Sequence, residues 1–106
     1  MRISEAQTLA KKLAEEFNEK YARKSNAQLY FIGIIEELGK LAGVIKVKEF
    51  YQIPPKFYRT KPKGNLENQL VDFLYDVLMI ANIYDIDLEK VFIDRMQQFS
   101  KNFLQK

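Results

Sequence analysis

The stretch YFIGIIEELGKLAGVI, Tyr30–Ile45, is apolar except for Glu36, Glu37 and Lys40. Sixteen residues without proline exceed any ordinary strand, so the run reads as a helix that is apolar nearly all round. Such a helix belongs at the centre of a bundle or in a subunit interface. A second stretch, LVDFLYDVLMIANI from Leu70, repeats the pattern with Asp72 and Asp76. Glu36 and Glu37 lie four and three residues before Lys40, and Asp72 four before Asp76, so each pair can share a helix face. If the two helices pack side by side, carboxylates from both converge. A buried, isolated carboxylate is costly unless it is paired or metal-bound. The four acids therefore need a narrow solvated stripe, the Lys40 ammonium, or a metal ion.

The surrounding chain supplies two more helices. Ser4 with Gln7 reads as a capping box opening the first. Ala6, Leu9, Ala10, Leu13, Ala14, Phe17 and Tyr21 then step by three and four into one stripe expected to be buried. A turn at KSNA leads to the second helix, capped by Ser25 or Asn26 and running to about Lys46. Asn65 caps a third helix through about Tyr84. Asp87 caps a fourth to about Phe103. No stretch alternates like a strand. The expected fold is an all-α four-helix bundle, one domain over residues 1–106, with a proline-rich basic insert between helices 2 and 3.

Composition narrows the chemistry. The 106 residues contain no cysteine and no histidine. Disulfides, thiolate metal sites, histidine–carboxylate iron or zinc centres and Ser-His-Asp triads are all excluded. Any metal must sit on oxygen ligands, which points to magnesium or manganese. The N-terminal segment carries acids and lacks a long apolar core, so neither a signal peptide nor a membrane span is expected, and the location expected is cytoplasmic. Residues 46–63 hold six cations against one acid, +5, while the remainder holds 11 cations and 13 acids, −2. A basic charge confined to one insert argues against a general nucleic-acid surface. Phe50, Tyr51, Phe57 and Tyr58 alternate with those cations. The insert can therefore be a lid over a triphosphate, a nucleic-acid contact, or an ordinary loop.

IIEELGKLAG followed by VDFLYDVLMIANIYDIDLEKVF resembles the MazG-like nucleotide pyrophosphohydrolases, an all-α group that includes dimeric dUTPases; the likeness spans roughly residues 28–103. It implies a hydrolase acting on acid anhydrides, taking a nucleoside triphosphate to the monophosphate and pyrophosphate. Magnesium (or manganese) would be held by a Glu-Glu-x-x-Glu segment on one helix and Glu-x-x-Asp on the next. On this chain Glu36 and Glu37 match the first two acids, and they are the candidate catalytic residues. Glu37 and Asp76 are the inherited metal ligands, with Asp72 and Glu36 as substitutes. Lys40, Arg95 and Lys101 are the candidate substrate contacts. Two positions depart from the pattern. Lys40 stands where the last Glu of the first motif is expected, and Phe73 where the first Glu of the second is expected. Phe99 and Asn102 likewise replace an asparagine and an arginine of the last helix. An ammonium near Glu37 and Asp76 competes with a divalent ion; two unit charges about 4 Å apart repel by about 4 kcal/mol at an effective dielectric near 20. Phe73 offers no oxygen. The resemblance with these departures implies weakened or lost turnover and a salt bridge from Lys40 to Glu37 or Asp76. The alternative is a non-catalytic nucleotide-binding or oligomeric module. Family likeness and excess apolar surface both imply a homodimer or homotetramer.

Overall fold

The computed structural model describes residues 1–50 and 65–104, apart from the side chain at position 50. Four helices follow one another: α1 (Ile3–Tyr21), α2 (Ala27–Phe50), α3 (Leu66–Ile83) and α4 (Leu88–Phe103), with no strand among the described residues. The chain is all-α. Two compact units are present, one formed by Met1–Ala27 with Leu78–Lys106 and the other by Gln28–Val77. Their boundary falls within α3. The prolines at 54, 55 and 62, Gly64 and most of the insert at 46–63 lie outside the described residues; Lys46, Lys48 and Glu49 belong to the last turns of α2.

In the first unit α1 starts two residues earlier than a Ser4 cap requires, with Arg2 as the N-cap. The Glu5 side chain takes the Arg2 backbone N–H at 3.1 Å. Glu89, from the first turn of α4, accepts from both the Ser4 backbone N–H and its hydroxyl at 3.3 Å, and from the Arg2 guanidinium at 2.6 Å. The Ser4 N–H bond is the main reason its carboxyl lies below the ordinary range, with Arg2 adding to the effect. An acid from another helix thus serves the exposed N–H groups that a capping serine would otherwise serve.

Gln7 is buried and ties three segments together, where a capping box would have left it at the helix edge. Its amide NH₂ donates to Asn82 Oδ1 at 3.1 Å and to the Ile86 carbonyl at 2.8 Å. Its amide oxygen accepts the Leu88 N–H at 3.0 Å, and Asn82 Nδ2 donates back to the Gln7 carbonyl at 2.9 Å. These bonds fix the α3–α4 turn. That turn closes by a Schellman pattern: Ile86 N–H to Ala81 O at 2.8 Å, Asp85 N–H to Asn82 O at 3.2 Å, with Asp85 in the left-handed region at φ 53°. Asp87 then caps α4 through the Lys90 N–H at 3.2 Å, and Asn65 caps α3 through the Asn68 N–H at 2.8 Å.

The core is thin. Ala10 and Ala14 of α1 are buried with Leu78, Met79 and Ala81 of α3, and no residue of α4 is buried. The expected α1 stripe is thus split: its alanines are covered, while Leu9, Leu13, Phe17 and Tyr21 stay exposed. The small side chains take the close contact, and the large ones lie farther round the helix. In the second unit the described side chains of α2 contribute only Tyr30 and Val44 as buried apolar residues, and Phe31, Ile32, Ile35, Leu38 and Ile45 are exposed.

Candidate functional site

The five charged residues singled out in the two apolar stretches all belong to the second unit, Glu36, Glu37 and Lys40 on α2 and Asp72 and Asp76 on α3. Helical spacing separates them into two classes. Glu37 and Asp76 are half-buried, whereas Glu36 and Asp72 are exposed. Tyr30 and Tyr75 meet edge to face nearby in sequence, ring centroids 6.2 Å apart.

Gly33 admits Asp76. A Cβ built at position 33 would lie 2.7 Å from Asp76 Oδ2 and 3.1 Å from its carboxyl carbon. The carboxylate therefore occupies the space that any side chain at 33 would claim, one helical turn before Glu37. Gly33→Ala would raise helix propensity by about 1 kcal/mol while forcing Asp76 from its place. Alanine at 33 is expected to destabilise the native chain by about 1 kcal/mol, yet to stabilise an Asp76→Ala chain by a similar amount. Urea melts of the four proteins of that cycle check the change of sign.

Lys40 Nζ pairs with Glu37 Oε1 at 3.3 Å. The other oxygen, Glu37 Oε2, is buried with no hydrogen-bond partner among the described residues. Asp76 is pushed up from the ordinary 3.8 to about 6, first by desolvation and then by the negative charges of Glu37, Asp72 and Glu36. Folded Asp76 thus keeps its proton to about pH 6, while the unfolded chain releases it near 3.8. Between those values the folded state binds more protons, so stability falls as pH rises through the window. Asp76→Asn removes that penalty. It is expected to stabilise the protein by about 1 kcal/mol at pH 7.5, after allowance for solvent screening, and to lose this gain below about pH 4. Thermal melts across pH 4 to 8 check it.

Does this donor set fit magnesium or manganese? The unpartnered Glu37 oxygen favours a cation, but the rest does not. Magnesium demands near-octahedral oxygen coordination. Among the described residues no group of three or more acids could hold a metal ion. Glu37 already holds an ammonium, and Glu36 and Asp72 face solvent. Phe73, half-buried three residues before Asp76, adds no donor. An ammonium serves here as the counter-charge of Glu37, Asp76 is seated over Gly33, and the arrangement does not fit a divalent ion.

Of the remaining candidates, Arg95 and Lys101 belong to α4 in the other unit. The Arg95 guanidinium stacks over Phe99 at 4.8 Å and donates to Gln98 Oε1 at 3.3 Å, and Lys101 is exposed in the last turn. Sequence spacing identifies the acids but not the seat that Gly33 provides for Asp76. Its only trace in the chain is a helix-interior glycine one turn before Glu37. No family model, characterised protein or solved structure matches this chain.

Proposed function

We propose that this chain is a MazG-like nucleoside triphosphate pyrophosphohydrolase scaffold with weak or lost turnover, retained as a nucleotide-binding or oligomeric interaction module. The observation that carries the proposal is the state of the two half-buried acids: Glu37 is neutralised by Lys40, and Asp76 sits over Gly33 with its carboxyl raised to about 6. Glu37 is served by a monovalent cation where the family would use a divalent one. Of the two retained roles, the exposed apolar faces favour assembly with further copies, as a homodimer or homotetramer.

Pyrophosphate release from deoxynucleoside triphosphates, with magnesium or manganese at neutral pH, tests this. The expected release equals that of a Glu37→Ala control. Release well above that control, lost on Glu37→Ala, would establish a working hydrolase and end the proposal.

A further inference from the structure

α2 holds Gly33, Gly39 and Gly43, and the described residues account for the first of them but not for the second. The absent side chain at 33 makes room for Asp76, whereas a Cβ at 39 would meet no atom of the described residues within 4 Å. A helix-interior glycine lowers helix stability. Open space on its side-chain side means that no contact among the described residues requires it. What such a residue does permit is close approach of a backbone from outside.

Gly39 stands beside an exposed apolar seam. Phe31, Ile35, Leu38, Ala42 and Ile45 follow one another at alternating spacings of four and three, with Ile32 adjoining. That is the spacing of a helix–helix seam. The five large residues of this face are between 42 and 57 % exposed. At roughly 200 Å² for a fully exposed large side chain, they present on the order of 500 Å² of apolar surface. With apolar atoms making up about 60 % of a typical interface, that corresponds to about 800 Å² per partner, the size of a standard stable interface.

The seam is graded in size along α2. Its N-terminal half carries Phe31, Ile32 and Ile35, and its C-terminal half holds Gly39 and Ala42 before ending on Ile45. Two parallel copies would set isoleucine against isoleucine and leave glycine facing glycine. Antiparallel copies can set Ile35 on Ala42 and Leu38 on Gly39 at the centre, with Ile32 against Ile45 at each end.

We propose that α2 pairs antiparallel with α2 of a second copy about a two-fold axis between Leu38 and Gly39, so that Ile35 seats on Ala42 of the second copy and Leu38 on its Gly39. This deepens the homo-oligomer reading by naming the surface and the register. Facing residues have numbers that add to 77, and the interface is isologous, as a two-fold requires. A wider assembly would use other faces.

The native chain lacks cysteine, so single-cysteine variants report contacts without background. Light scattering of the whole chain is expected to give twice the 12.5 kDa chain mass, or a multiple of that dimer. Mixed Ile35→Cys and Ala42→Cys chains, oxidised together, are expected to cross-link to each other roughly tenfold more than either does to itself, since a disulfide needs Cβ atoms about 4 Å apart. Gly39→Arg is expected to weaken self-association by about 100-fold or more, as a long charged side chain enters the closest approach. Its helical circular dichroism should be unchanged or stronger, which separates lost assembly from lost folding. A monomer at the highest soluble concentration would overturn both the homo-oligomer reading and the interface. A dimer in which Ile35→Cys links to itself as readily as to Ala42→Cys, or which survives Gly39→Arg, would overturn the interface alone.

Discussion

Lys40→Glu combined with Phe73→Glu is expected to raise divalent-metal affinity far above that of the native chain. The first change removes an ammonium from the Glu37 carboxylate, where Lys40 now sits at 3.3 Å, and replaces it with an acid. Local charge changes by two units. At an effective dielectric near 20 each unit pair at about 4 Å is worth about 4 kcal/mol, and Lys40 is only partly screened by solvent. The second change supplies a carboxylate three residues before Asp76, on the same helical face. Together they raise the acids near Glu37 and Asp76 from two to four. The expected gain in magnesium affinity is at least about 1000-fold, read by titration calorimetry. Each single substitution should give much less, because one leaves the donor set short and the other leaves the ammonium in place. A double variant that takes up no metal would show that α2 and α3 do not present these positions to a common point.

Gln7→Leu should have the largest effect on stability. Three native groups lose their partners at once: the Leu88 N–H, the Ile86 carbonyl and Asn82 Oδ1. Leucine is close in size and fills the space, so the cost is chiefly that of unsatisfied polar groups in a buried position. Each is worth about 1–3 kcal/mol, and they are not additive, so about 3 kcal/mol is the expected loss. For a chain this short that lowers the melting midpoint by more than about 10 °C. Thr8→Leu, one residue along, removes a hydroxyl that only returns to the Ser4 carbonyl at 3.1 Å on an exposed face. It should change the midpoint little. Equal losses for the two would mean that Gln7 is no hub.

The helices themselves are legible in the chain because local chemistry sets their ends. Asn65 and Asp87 cap α3 and α4 as their positions predict, and α4 ends at Phe103. The periodicity of α1 correctly marks its apolar side. It does not say how much of that side is covered, which depends on what packs against it; only the alanines found a partner surface, and Phe17 and Tyr21 did not. Gln7 was obscured for another reason. A glutamine three residues after a serine fits the capping-box pattern, and only the tertiary path of the α3–α4 turn brings Asn82, Ile86 and Leu88 to it. Glu89 takes over the cap from 85 residues away in sequence, which no local pattern reveals.

For the candidate site, helix spacing separates Glu37 and Asp76 from their exposed neighbours Glu36 and Asp72, and charge chemistry pairs Lys40 with Glu37. The seat of Asp76 is different. A glycine in a helix announces that something comes close, but not what. At Gly33 the close neighbour is a carboxylate of the same chain.

The central claim is that the Lys40 ammonium, and not a divalent ion, is the counter-charge of Glu37, and manganese titration followed by electron paramagnetic resonance tests it most directly. At neutral pH and moderate ionic strength the signal of free manganese should persist undiminished when the native protein is added, and should fall when the Lys40→Glu, Phe73→Glu protein is added instead. Loss of the free-ion signal at one equivalent of native protein, restored by Glu37→Gln, would contradict the account.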